Sequence, residues 1–88
     1  MNSNNLNNII IERDYGKIRL SLKEQMSKKN ANIYQMTVAT GLSHSTIKAY
    51  YNNEVVRLDT DIIAKFCYAL NCDINDIIKY ERVESSNI

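Results

Sequence analysis

Proline is absent from the chain, and glycine occurs only at Gly16 and Gly41. Because proline interrupts helices and glycine marks many tight turns, this scarcity favours a helical chain with few breaks. No apolar run approaches the roughly 18 residues that a membrane helix needs, and no basic-then-apolar leader is present, so we expect neither a membrane span nor a secretion signal. The 88 residues predict one domain with a modest core, too small for a substrate-enclosing enzyme pocket.

Residues that usually carry metal or catalytic chemistry are also sparse. Cys67 and Cys72 lack the spacing of metal ligands, and we interpret them as small core residues of an intracellular, cytoplasmic protein. A disulfide between them is the alternative that this compartment disfavours. His44 is the single histidine and has no evident nucleophile to activate. We therefore expect no enzyme, no metal site and no cofactor.

Charge is unevenly distributed along the chain, although the net charge is only +1. The segment from Lys17 to Arg57 contains seven basic and two acidic residues, whereas the segment from Leu58 onward contains three basic and six acidic residues. One basic side is what attraction to phosphate requires. A solvated surface with scattered lysines would explain the total charge but not this asymmetry.

The stretch from Ile33 to Asn53 reads IYQMTVATGLSHSTIKAYYNN and has a helical pattern on each side of Gly41. A glycine between two short helices supplies the positive φ that a tight turn needs, and Leu42 is expected to fill the crease between them. Ser43 stands where a helix N-cap belongs, where its hydroxyl would accept from a backbone N–H two or three residues later. The pattern predicts a helix-turn-helix.

Eight residues in the two helices and the turn carry a family resemblance: Met36, Thr37, Gly41, Leu42, Ser43, Ser45, Thr46 and Ile47. With them the chain resembles the Cro/C1-type (XRE-like) helix-turn-helix family of bacterial and phage regulators, from about Ile18 to about Tyr80. The resemblance implies a compact all-α domain that binds double-stranded DNA. Two positions depart from the family pattern: Ile33 replaces a frequent Gln that touches phosphate, and Thr37 replaces the usual Ala.

Five short helices with minor β elements at the ends are predicted for the whole chain. The first helix is expected over Ser21–Lys29, after a short strand that begins at Lys17. Asp59 and Asn71 have the residue types that begin and end the fourth helix, and Asp73 is expected to cap a short fifth one. An apolar helical pattern predicts these core residues: Leu22, Met26, Ile47, Tyr50, Tyr51, Ile62, Ile63, Phe66, Cys67, Tyr68, Leu70, Ile74, Ile77 and Ile78.

The chain divides into a single domain and two terminal segments. Residues 1–8 are rich in Asn and predict a disordered tail, and the domain is expected over residues 9–80. At its start, Ile9–Ile11 predicts an apolar arm that packs on this domain or on a partner. Residues 81–88 are expected to form a C-terminal tail that adds a short strand.

Candidate DNA contacts follow from how a recognition helix enters the major groove with its N-terminal residues nearest the bases. The predicted base-reading residues are His44, Ser45, Thr46, Lys48 and Ala49. Phosphate contacts are predicted for Tyr34, Gln35, Asn52 and Arg57. The alternatives are an exposed surface role for His44, a helix-start role for Thr46, and an ion pair between Arg57 and Glu54.

The sequence therefore predicts a sequence-specific, double-stranded DNA-binding regulator, a repressor that binds as a homodimer. The alternative is a protein-interaction module on the same scaffold, acting on a protein partner as an antirepressor or antitoxin would. Ile33 and the single lysine of the recognition helix, Lys48, support this alternative. Salt-dependent binding to random duplex DNA separates the two hypotheses.

Overall fold

The structure of the protein is a computed structural model, and it describes residues 13–83. The predicted tail of residues 1–8 and the predicted apolar arm Ile9–Ile11 lie outside the described residues. Its elements, in chain order, are strand β1 (Lys17–Leu20), helices α1 (Leu22–Lys28), α2 (Ile33–Thr40), α3 (His44–Tyr51) and α4 (Thr60–Leu70), a 3-10 turn (Ile74–Asp76), and strand β2 (Ile78–Glu81).

The prediction of five helices was wrong by one, because residues 13–83 contain four α-helices. The predicted capping box between Asp73 and Asp76 is present, but the element that it begins is a 3-10 turn of three residues. Ile77 ends this turn, and its carbonyl accepts a 2.6 Å hydrogen bond from the Ser21 backbone N–H. Ile77 is also 1% exposed, so it is held in the core by tertiary contacts. Ile77 and Ile78 are both β-branched, and such residues favour a strand over a longer helix.

The two strands form one antiparallel sheet in which Lys17 pairs with Glu81 and Leu20 with Ile78. Because side chains alternate along a strand, Ile18, Leu20, Ile78 and Tyr80 share one face, and the charged residues share the other. The sequence predicted a short strand in the segment that starts at Glu81, and in the structure this strand begins earlier, at Ile78. The sequence pattern indicated β elements at both ends but not that they pair.

Ten hydrophobic residues from every α-helix and both ends of the fold make the core: Leu20, Leu22, Met26, Met36, Ile47, Tyr50, Ile63, Phe66, Leu70 and Ile77. Phe66 and Ile47 are both fully buried, and the Phe66 ring of α4 contacts the Tyr50 ring of α3. Two core predictions were wrong: Tyr68 is 87% exposed and Ile74 is 58% exposed. Tyr68 follows the half-buried Cys67 in sequence but lies outside the buried stripe of α4, which consists of Ile63, Phe66 and Leu70.

Asparagine takes the left-handed positions that glycine usually fills at helix ends. Asn30, Asn53 and Asn71 have φ values of 58°, 59° and 51° after α1, α3 and α4. In each case the following residue donates its N–H to a carbonyl five residues back, at 2.8 to 3.0 Å, as in a Schellman motif. The prediction for Asn71 is confirmed, and the same device recurs at two ends that the sequence pattern did not mark.

The longest helix is α4, with 11 residues. Among residues 13–83, no helix combines the length and the apolar character that crossing a membrane demands.

Candidate nucleic-acid interface

The start of α2 is held by a local hydrogen-bonded ring. Asn32 is the N-cap, and its side-chain oxygen accepts from the Gln35 backbone N–H at 2.8 Å. The Gln35 side-chain Oε1 in turn accepts from the Asn32 backbone N–H at 2.9 Å. This capping box uses the oxygen of Gln35 and leaves its amide Nε2 free to donate to another acceptor. The sequence pattern Asn-x-x-Gln is the local signal for this capping box.

The turn between α2 and α3 forms as predicted around Gly41. Gly41 has φ of 75°, and its N–H donates to the Thr37 carbonyl at 2.9 Å. The Thr40 hydroxyl donates to the Met36 carbonyl and accepts from the Leu42 N–H, so it joins the end of α2 to the turn. Leu42 is half-buried against the core, which fixes the angle between the two helices.

The start of α3 is capped by Ser43, which confirms the predicted N-cap. The Ser43 hydroxyl accepts from the Thr46 backbone N–H at 3.1 Å and donates to the Thr46 hydroxyl at 2.9 Å. Thr46 is half-buried, so its side chain serves the helix start. This is the structural alternative that the sequence left open for Thr46.

The exposed side of α3 carries the other predicted base-reading residues. His44, Ser45 and Lys48 are exposed, and Ala49 is half-buried beside them. On the opposite side, Ile47 is 0% and Tyr50 4% exposed. Residues three and four apart share a helix face, so Ser45, Lys48 and Ala49 form one continuous surface with His44 at its open end.

Contacts with distant parts of the fold fix the orientation of α3. The Tyr50 ring meets the Phe66 ring edge to face, with centroids 5.3 Å apart. The Tyr50 hydroxyl accepts a 3.2 Å hydrogen bond from the backbone N–H of Asp59, the N-cap of α4. These two contacts, one through the Tyr50 ring and one through its hydroxyl, hold α3 against α4.

A second anchor joins the end of α3 to strand β1 through Asn53. The Asn53 side-chain oxygen accepts from the Leu20 N–H at 2.6 Å, and its amide nitrogen donates to the Leu20 carbonyl at 2.9 Å. The carboxamide thus occupies the outer edge of β1 as a neighbouring strand would. No local sequence pattern indicates this role, because the two residues are 33 positions apart.

The predicted phosphate-contact residues lie at two places on the surface. Tyr34 and Gln35 are exposed in the first turn of α2. Asn52 ends α3 as its C-cap, and Arg57 lies in the connection to α4; both are exposed. Within the described part of the chain, the ion pairs do not include one between Arg57 and Glu54, so the Arg57 guanidinium is available to an external anion.

No acidic residue occurs between Glu24 and Glu54, a stretch that contains both helices of the motif. Lys28, Lys29 and Lys48 supply positive charge within it. A surface with cations and no carboxylates attracts phosphate over distances of about a Debye length, roughly 8–10 Å. The interface can therefore hold polyanions, donate hydrogen bonds from its rim and present short polar side chains at its centre.

In a comparison with known families, the Cro/C1-type HTH DNA-binding domain matches residues 21–82. No curated protein and no solved structure matches the chain significantly. The matched residues contain the four helices, the 3-10 turn and β2, and the capped α3 stands where the second helix of the motif belongs. The chain belongs to the Cro/C1-type helix-turn-helix DNA-binding family.

Proposed function

We propose that this protein is a sequence-specific, double-stranded DNA-binding regulator that acts as a repressor. The observation that carries the proposal is the exposed side of α3, which is free of carboxylates and is held in one orientation by Tyr50 and Asn53. A rigid helix with short polar side chains at its N-terminal end suits entry into the major groove. Occupation of an operator by such a domain blocks other proteins from the same DNA, which is the simplest form of repression.

Base reading is assigned to the open end of α3. His44 and Ser45 have the reach and the donors and acceptors to bond base edges, and Lys48 can donate to guanine or to a phosphate. Ala49 offers a methyl contact to thymine. Thr46 contributes at most a minor part of the base reading, because its backbone N–H and its hydroxyl oxygen are both hydrogen-bonded to the Ser43 hydroxyl.

Backbone phosphates are assigned to the rim of the interface. Tyr34 and the free Nε2 of Gln35 donate at the start of α2, where the unpaired N–H groups of the first turn also favour an anion. Asn52 and Arg57 donate on the far side of α3. Phosphate contacts position the protein but carry no direct sequence information, so these four residues set affinity and register.

Binding as a homodimer is part of the proposal, because two copies then read half-sites about one helical turn, roughly 34 Å, apart. The apolar face of the sheet supports an interface between copies. Ile18 and Tyr80 are each 54% exposed on that face, and Val56 beside it is 93% exposed. Sedimentation at several concentrations, with and without an operator duplex, tests this element of the proposal.

The experiment that tests the function begins with selection of bound sequences from a random duplex pool. Repeated rounds should converge on one site, and affinity for that site should exceed affinity for a scrambled duplex by at least about 10³-fold. Both affinities should fall linearly in log K against log salt concentration. A pool that stays random, together with salt-independent binding, would contradict the proposal.

A protein-interaction module is the second candidate, and one observation favours it. Tyr34 and Val38 lie one turn apart on α2 and are 72% and 68% exposed, which gives this helix an apolar outer side. Such a surface could dock on a protein partner in place of DNA. Under this alternative, binding to random duplex DNA is almost absent at every salt concentration.

A further inference from the structure

An open cleft lies between three helices, beside the predicted interface. It is lined by Lys23 and Ser27 of α1, Asn32 and Ile33 at the start of α2, and Tyr51 at the end of α3, and it has a volume of about 370 Å³. The Lys23 ammonium nitrogen lies 5.8 Å from the centroid of the Tyr51 ring. This is a cation–π distance, so the ring holds the lysine side chain against the end of the recognition helix.

The cleft lies at the border between the buried and the exposed sides of α3. Tyr51 follows His44 by seven residues, which is about two helical turns, so the two side chains leave the helix in nearly the same direction. Tyr51 is half-buried, whereas His44 is exposed. The cleft therefore borders the exposed side of α3, where a DNA strand would pass along the edge of the groove.

The charge of Lys23 is not neutralised within the described part of the chain. The ion pairs among residues 13–83 join Arg19 to Glu24 and Glu81, and Lys65 to Asp61. No carboxylate lines the cleft, and Ile33 brings no hydrogen-bond donor to it. Lys23 is the cation in this cleft. Its side chain is exposed, so its ammonium group can bind an anion on the side away from the Tyr51 ring.

We propose that Lys23 is a phosphate-contact residue of the DNA interface and that Tyr51 positions it. The inference rests on the proposed DNA-binding function and extends it to α1, where no DNA contact was assigned. The aromatic ring restricts the lysine stem, so less side-chain entropy is lost when the ammonium group meets a phosphate oxygen. A phosphate is the same in every sequence, so Lys23 adds affinity for all duplexes alike.

The test is a salt titration of binding to one random-sequence duplex, with Lys23→Met compared with the wild type. Loss of one phosphate contact should reduce the slope of log K against log salt by about 0.9 and weaken binding about eightfold at 0.1 M salt. Lys65→Met is the matched control, because it removes the same charge from α4 and should leave the slope unchanged. Lys23→Arg and Tyr51→Phe keep the cation and the ring, and both should retain the wild-type slope.

Each outcome has one meaning. If Lys23→Met keeps the wild-type slope, or loses no more of it than Lys65→Met, the inference is wrong even when the wild type binds DNA. If Lys23→Met lowers the melting temperature without altering the slope, the lysine only stabilises the fold, which also overturns the inference. If the wild type shows no salt-dependent binding, the proposed function fails first, and the variants are not needed to show it.

Discussion

The helix-turn-helix and the two-stranded sheet are held by different kinds of hydrogen bond. From Asn32 to Thr46, side chains bond to residues two to four positions away, as in the Asn32–Gln35 ring and the Ser43–Thr46 cap. In the sheet, the partners are far apart in sequence: the Tyr80 hydroxyl donates to the Tyr15 carbonyl across 65 positions. The element that would read DNA is thus specified locally, whereas its orientation depends on distant contacts.

Asn53 is where these two regions meet. Its backbone ends α3 in the left-handed conformation, which is a local feature, and its side chain bonds Leu20 of β1, which is a distant one. A change in the sheet can therefore alter the position of α3 without altering its helical structure. Substitutions in the two regions therefore separate local from distant support.

Phe66→Ala should remove the largest fully buried side chain, which contacts the Tyr50 ring behind α3. The expected cost is about 3–5 kcal/mol of unfolding free energy, from lost burial and the cavity left behind. Since domains of this size are stable by only about 5–15 kcal/mol, much of the protein should unfold on mild heating. Denaturant unfolding followed by circular dichroism measures the effect.

Tyr68→Ala is the control for this prediction, because Tyr68 is two positions away on α4 and 87% exposed. It should change the unfolding free energy by no more than about 0.5 kcal/mol. If the two variants lose similar stability, the assignment of the buried side of α4 is wrong.

Asn53→Gly should break the link between the two regions and leave the local helix end intact. Glycine adopts the φ of 59° without strain but cannot replace the two hydrogen bonds to Leu20. Their loss should cost about 1–3 kcal/mol, measured by thermal or denaturant unfolding.

Asn30→Gly is the matched control for Asn53→Gly. Asn30 has nearly the same φ, 58°, after α1, and among residues 13–83 its side chain makes no hydrogen bond of this kind. Stability should change by no more than about 0.5 kcal/mol. Equal losses for both variants would mean that the carboxamide of Asn53 contributes nothing beyond its backbone conformation.

Gly41→Ala tests the local side of the comparison and should cost less stability than Phe66→Ala or Asn53→Gly. A Cβ at Gly41 would meet nothing within 4 Å, so only the φ of 75° opposes the substitution. The expected cost is about 1 kcal/mol. Gly41→Asn should cost less, because asparagine already occupies the other left-handed helix ends, and differential scanning calorimetry can resolve the difference. A loss as large as that of Phe66→Ala would show that the turn carries tertiary contacts that the structure does not contain.

The sequence predicted most of the motif because its determinants are local. Gly41, the Ser43 cap, the Asp59 cap and the left-handed Asn71 all act on backbone groups within a few residues. The prediction of a fifth helix was wrong because Ile77 is buried in the core and its carbonyl accepts a hydrogen bond from the distant Ser21 N–H. No local pattern reveals this contact. The contacts of Asn53 with Leu20 and of Lys23 with the Tyr51 ring were missed for the same reason.

The sequence predicted the position of the candidate site better than it predicted the roles of the individual residues. Helical periodicity separated the exposed His44, Ser45 and Lys48 from the buried Ile47 and Tyr50. It did not show that the Thr46 hydroxyl is bonded to Ser43, since a threonine at this position can serve either the helix or the DNA. Hydrogen bonding by a side chain is decided by rotamers, which spacing does not specify.

Base reading by α3 is tested by comparing His44→Ala with Arg57→Ala on a preferred and a scrambled duplex, over a series of salt concentrations. His44 is placed at base edges, so its loss should cost roughly 1–3 kcal/mol on the preferred duplex and little on the scrambled one. Arg57 is placed on phosphate, so its loss should weaken both duplexes alike and reduce the salt slope by about one. If His44→Ala weakens the two duplexes equally, α3 does not read sequence from its N-terminal end; if neither variant changes binding to either duplex, DNA is not the partner of this surface.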